Sequence, residues 1–341
     1  MDVAVLSRLA ELADAADTRF DWPAASLDIV RRAGLTSTGM PARFGGREPS
    51  TIEQLNVAEQ IAGACLTMAF ILSQREAAVR RIASAPNKAL AEHFLPRLTR
   101  GESFLTVGLS QLTTSRQHGG PALLVEPTSD GYQLTGEVPW VTGADQAEAI
   151  VIGGRLADGR QALFLVPNGE PGVFVRPPMD LAALKGSRTS SIRLDQVKLK
   201  TECLLNGPAE KVLSGPGGGG LETSALALGV AAAAIGDLQQ EAETRPDLKS
   251  VADEFATSHR KARDRLHELA SMPALPDTIV DARVECTRLA LRATQAHLTA
   301  AKGTGFVAPH PAQRRARQAL FFLVWSCPRS TADGLLAELV E

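Results

Sequence analysis

The hydrophobic pattern of this chain changes period twice, and that double change limits the folds open to it. From residue 1 to about 103 the apolar residues recur at the spacing of one helix face. DVAVLSRLAELADAA shows the pattern, ASLDIVRRAG repeats it and ends on Gly34 as a C-cap, and the Ala-rich TIEQLNVAEQIAGACLTMAFILSQREAAVRRIAS sustains it as one long stretch. MPARFGGREPS is a Pro- and Gly-dense loop, and NKALAEHFLPRLTRGE adds a last helix and a turn. Beyond residue 104 the period falls to two. FLTVGLS, ALLVEPTSDGYQLTGEVPWVT, AEAIVIGGRL, QALFLVPN, GVFVRPP and SSIRLDQVKL are alternating or β-branched runs, divided by turn signals such as Ser129-Asp130-Gly131 and Asn168-Gly169. SGPGGGG (214–220) lacks the Gly-Lys-Ser/Thr ending and preceding strand of a phosphate loop, so it reads as a linker. From Leu221 onward the helical period returns in four segments with short connections, which suits an antiparallel bundle. The expected architecture is α+β and multidomain: an N-terminal helical domain (1–103), a small antiparallel β-barrel or sandwich (104–213) and a C-terminal four-helix bundle (221–341).

Composition removes several function classes. A formal net charge of −2 argues against nucleic-acid binding, which needs clustered excess Lys and Arg, and 4% aromatic residues leave few stacking platforms for bases. No apolar run in the sequence reaches the roughly 18–20 residues that span a bilayer, so no membrane association is expected. The N-terminal segment carries acids through its apolar pattern and reads as a helix, not a signal peptide; a cytoplasmic location is the expectation. Cys65, Cys203, Cys286 and Cys327 lie far apart and read as reduced structural thiols. The six histidines form no close ligand pair, so no metal site is expected, and no G-x-S-x-G supports a hydrolase. The basic run Arg314, Arg315, Arg317 leaves two readings open, a phosphate contact and a solvated helix face.

Five fragments, in order, resemble the acyl-CoA dehydrogenase flavoprotein family across nearly the whole chain. GLTSTGMPARFGG resembles the family's Gly-Leu…Pro…Gly-Gly loop, and HFLPRLTRGES its entry into the β-domain. GYQLTGEVPWVTGADQAEAIVI resembles the Gly-x-Lys-x-x-(Trp/Phe)-Ile-Thr segment with the Ala-Asp and apolar strand after it. LKGSRTSSIRLDQVKL resembles the Gly-x-Arg-x-Ser segment and its following strand, and GTGFVAPHPAQRRARQA the Gly-x-Gly-aromatic…Pro…Arg-Asp-Ala stretch.

The resemblance implies a flavin-dependent oxidoreductase acting on a CH–CH group of an acyl-CoA or other thioester. A base would remove the α-proton while FAD receives the β-hydride. It implies cofactor contacts at Leu109, Ser110 and Ser115, where the family's Thr-Glu-Pro-x-x-Gly-Ser segment has become Ser110-Gln111-Leu112 and Ser115-Arg116. It also implies contacts at Trp140, Val141 and Thr142, and at Gly303, Thr304 and Gly305 for the adenine end, which the family completes from a neighbouring subunit. The family's Arg-x-x-Phe-Gly segment is replaced by EAETRPDLKS, leaving Arg245 as a remnant. Ser326 occupies the usual position of the catalytic Glu, and Glu222, near the start of the first bundle helix, is the alternative base. A homodimer or homotetramer is implied. Two other readings stay open: a flavin monooxygenase on the same scaffold, and a non-catalytic relative that serves as a partner-binding subunit.

Overall fold

The computed structural model describes residues 1–113, 122–213, 220–272 and 275–340. Five helices come first: α1 (Val3–Thr18), α2 (Ala24–Arg32), α3 (Thr51–Ala64), α4 (Leu66–Ser84) and α5 (Lys88–Thr99). Asp2 caps α1 by accepting from the Ala4 amide, and Gly34 turns the chain after α2 at φ +69°, where a side chain would be strained. Ser50 and Glu53 form a reciprocal capping box at the start of α3.

The long apolar stretch expected as one helix is two. Cys65 adopts extended backbone (φ −151°, ψ 99°) and separates α3 from α4. A single helix over 51–84 would run about 50 Å, longer than a compact domain can cover. The break instead lets α3 and α4 pack on different neighbours. Gly63 lies where a Cβ would come 3.0 Å from the Gly229 carbonyl oxygen, so α3 meets a later helix nearly backbone to backbone.

Eight strands follow: β1 (Leu105–Gly108), β2 (Leu123–Pro127), β3 (Gly131–Val141), β4 (Ala149–Leu156), β5 (Gln161–Pro167), β6 (Val173–Val175), β7 (Ser190–Lys200) and β8 (Leu204–Ala209). They form one sheet in the order β6-β7-β3-β2-β4-β5-β8, with β1 also on β4. The pairings are antiparallel apart from two. β1 and β2 lie end to end beside β4 and parallel to it, Leu105–Gly108 against Ala149–Ile152 and Leu124–Val125 against Arg155–Leu156. Alternation cannot reveal this, because side chains have period two in either direction. Alternate residues of β4 and β5 enter two cores. Ile150, Ile152, Phe164 and Val166 join Leu134, Val138 and Ile192, while Ala149, Val151, Leu163 and Leu165 join Val79, Ile82, Leu95 and Leu98 of α4 and α5.

The last block holds α6 (Gly220–Thr244), α7 (Lys249–Ser271), α8 (Pro276–Gly305), α9 (Pro311–Leu320) and α10 (Arg329–Glu338). The four expected helices are present, and α10 is a fifth, fastened to α8 through Arg288 and Glu338 at 2.9 Å. α6 has the length and hydropathy of a membrane span over Leu221–Thr244, against the reading that no apolar run reaches that length; 67% of the apolar window is buried against protein. The basic run on α9 is neither a phosphate patch nor a solvated face. Arg314 pairs with Asp14 at 2.9 Å, Arg315 with Asp237, and Arg317 with Asp17 at 2.7 Å.

Candidate functional site

The end of β1, the end of β3 and the start of β7 converge because Gly108 carries no side chain. A Cβ there would stand 2.5 Å from Val138 Cγ1 and 3.0 Å from Val141 Cγ2. This close approach sets Leu109 and the short 3-10 turn Ser110–Leu112 beside the Trp140–Thr142 segment. Ser110 Oγ is buried and has no hydrogen-bond partner among the described residues. Gln111, where the resembled segment has Glu, turns inward: its amide Nε2 donates to the Gly108 and Gly153 carbonyls at 2.9 and 2.7 Å and ties β1 to β4. Val141 pairs with Ser190, whose Oγ is likewise buried and without a partner among the described residues. Thr142, 3% exposed, shares a 3.3 Å hydroxyl contact with Thr189, which in turn lies 2.9 Å from Ser187. Trp140 is half-exposed at 49%. Ser115 lies outside the described residues.

Gly303, Thr304 and Gly305 end α8 just past a break at Lys302 (φ 53°, ψ −149°). Gly303 and Thr304 are exposed and Gly305 is buried. Arg245 donates to the Ala300 carbonyl at 2.7 Å, so it caps the end of α8 instead of facing an open site.

The two positions considered for a base are linked through Arg283. This buried guanidinium donates to the Thr223 carbonyl (3.4 Å) and to those of Phe322 and Trp325 (3.1 and 3.2 Å), with burial drawing its pKa down to about 10. It thereby joins the first turn of α6 to the turn after α9. Trp325 stacks on Phe321 and meets Phe70 edge-on, inside the main core. Ser326, next in sequence, is exposed in the left-handed region at φ 47°. Glu222 is enclosed more closely. Its Oε2 lies 3.1 Å from Arg80 Nη2, and its side chain is 23% exposed.

One participant was not visible in the sequence. Glu76 of α4 faces Glu222 of α6, and both line a cavity of about 30 Å³ with Thr38, Gln54, Ser73 and Leu226. The Glu76 carboxyl is enclosed there, within hydrogen-bonding reach of Glu222. Burial, and then the negative charge of Glu222, raises its pKa far above the ordinary carboxyl range, against the opposing pull of Arg80 and Arg75. Ser73 hydrogen-bonds the Phe70 carbonyl at 2.8 Å, and apolar Val57, Ala58, Ile61, Ala69 and Leu72 complete the wall. No local motif marks Glu76; its chemistry arises only when α4 and α6 pack together. Among the described residues no group of three or more His, Cys, Asp or Glu side chains could hold a metal ion.

Residues 4–102 match the family model of the acyl-CoA dehydrogenase N-terminal domain. The chain is 25% identical over 273 residues to a probable acyl-CoA dehydrogenase, YngJ, of Bacillus subtilis (strain 168), an alignment spanning 76% of this chain and 71% of that protein. Its fold superposes on butyryl-CoA dehydrogenase from Megasphaera elsdenii with a TM-score of 0.84 at 17% identity, covering 99% and 97% of the two chains. It also superposes on FkbI, of the biosynthesis of a methoxymalonyl extender unit, with a TM-score of 0.85 at 19% identity, covering 99% and 98%. The matched N-terminal model, the relative's length of alignment and a shared fold from end to end support membership of the acyl-CoA dehydrogenase family.

Proposed function

We propose that this chain is an FAD-dependent oxidoreductase acting on the CH–CH bond of an acyl-CoA, with Glu222 as the base that takes the α-proton. Its family is one of flavin-dependent acyl-CoA oxidoreductases. The residues at the convergence of β1, β3 and β7 fit a flavin. Ser110 Oγ is a buried hydroxyl with no partner among the described residues, Thr142 offers another at the end of a hydroxyl chain, and the half-exposed indole of Trp140 supplies an aromatic face. A bound flavin supplies the two-electron acceptor; the protein's part is to orient the thioester, exclude water and move one proton.

The observation that carries the reading is the position of Glu222. Ser326 has no carboxylate and is exposed, whereas the Glu222 carboxylate is half-enclosed at a cavity and fixed by Arg80. A serine there could act only if a neighbouring group activated it. We also take the active form to be a homodimer or homotetramer, with Gly303–Gly305 of one subunit serving the adenine end of a neighbour's FAD.

Anaerobic mixing of the flavin-loaded protein with short saturated acyl-CoAs tests this. Wild type is expected to lose its flavin absorption in the visible, and Glu222→Gln to slow that loss by roughly 10²–10⁴-fold. Equal rates in both would reject Glu222 as the base. Flavin that binds but is never reduced by thioesters would favour a monooxygenase, and a protein that takes up no flavin would favour a partner-binding subunit.

A further inference from the structure

We propose that Glu76 is a positioning residue for Glu222: it keeps a proton shared between the two carboxyl groups and, with Arg80, presents Glu222 to the substrate as an oriented carboxylate. This rests on Glu222 being the base.

The geometry comes from one helix face. Glu76 and Arg80 are one turn apart on α4, and both reach Glu222 on α6, one as a hydrogen-bond donor and the other as a cation at 3.1 Å. Glu222 is therefore held from two sides by groups that cannot both leave without exposing a buried charge. The titratable and charged groups facing Glu76 are Arg75 and Arg80 from its own helix and Glu222 from α6. The other residues lining the cavity, from α3 and from the Thr38–Gly39 turn, carry no charge. Arg75 is spoken for elsewhere: its Nη2 donates to the Thr36 and Leu98 carbonyls at 2.8 and 2.6 Å. The arrangement is a carboxyl pair that holds one proton because two adjacent charges in an enclosed site repel.

With a flavin bound as hydride acceptor, the α C–H bond would break, its electron pair would support departure of the β-hydride to that acceptor, and the α-proton would form a new O–H bond on Glu222. The proton on Glu76 stays where it is. Its hydrogen bond fixes the Glu222 carboxylate before the transfer and must yield as Glu222 becomes neutral. Ionisation of Glu76, which occurs at about pH 8, takes that donor away and sets a second negative charge beside the base.

Two measurements test this in parallel. Infrared spectra of the wild-type protein are expected to show a protonated carboxyl at pH 7 that is lost as pH passes about 8 and is missing in Glu76→Gln. The pH profile of acyl-CoA-dependent flavin reduction should show an inflection in the same range for wild type and lose it in Glu76→Gln, with substrate affinity unchanged. Glu76→Asp should restore an inflection. A wild-type spectrum with no carboxyl band titrating there, or a Glu76→Gln profile superimposable on wild type, overturns the proposal. If Glu222→Gln is inactive while Glu76→Gln is indistinguishable from wild type, the base stands and the positioning role falls. If Glu222→Gln is fully active, the base assignment falls and this proposal falls with it.

Discussion

Protonation of Glu76 ties folding stability to pH. In the unfolded chain its carboxyl titrates near 4.5, while in the folded protein it titrates at about 8. Below 4.5 both states hold the proton and the group is neutral to stability. As pH rises between the two values the unfolded chain releases the proton first, so the unfolded state gains and stability falls, levelling off only above about 8. Urea unfolding at acidic and at mildly alkaline pH should therefore show a loss, on the order of a few kcal/mol, that Glu76→Gln reduces. A variant that loses stability as steeply as wild type would speak against the enclosed proton. Residues such as this one were not legible in the sequence. Ser110, Trp140 and Thr142 stood out because they fall in contiguous segments. Glu76 carries its chemistry only through a partner on a distant helix, and Gln111 is turned inward by hydrogen bonds to two strands that sequence cannot pair.

Helices and strands announced themselves, but their breaks and crossings did not. The apolar period runs through Cys65 without interruption, since the residues on both sides are buried. The close approach of α6 just before the break shows in the sequence only as the pair Gly63 and Gly229. At Gly229 a Cβ would lie 2.1 Å from the Glu59 carbonyl oxygen and 2.9 Å from Ala62 Cβ. Gly229→Ala is expected to push α3 away from α6 and to cost roughly 1–3 kcal/mol, the usual scale of overpacking. Unfolding midpoints equal to wild type would mean that the two helices are not pressed together. The junction of α1, α9 and the turn before β7 is held differently. Asp17 is fully buried and accepts from the Leu184 amide (3.0 Å), Arg317 (2.7 Å) and Gln318 (2.8 Å). Asp17→Ala strands those donors, so a loss of about 3–5 kcal/mol is expected in the same assay.

At the scale of the whole molecule, the order of helical, strand and helical blocks followed from periodicity, whereas the two parallel pairings and the docking of α9 onto α1 did not. Alternation is blind to strand direction, and an Arg-rich helix looks the same whether its charges meet water or carboxylates on other elements. One large-scale expectation concerns surface instead of core. Past the break at Lys302, Phe306 and Val307 are 78% and 66% exposed, and Leu320, Val324 and Leu336 are also half-exposed or more. The exposed pair at the C-terminal end of α8 is costly to leave in water, and a second copy of the chain would cover it. Because Gly303–Gly305 precede Phe306 directly, loss of that interface should also loosen the adenine end of FAD while sparing the flavin ring. Light scattering is expected to give a dimer or tetramer for wild type and a monomer for the doubly substituted Phe306→Asp, Val307→Asp protein. In the same pair of proteins wild type should hold FAD more tightly than FMN, and the monomeric variant should lose that preference. A monomeric variant that still prefers FAD would mean the adenine end is bound within one subunit.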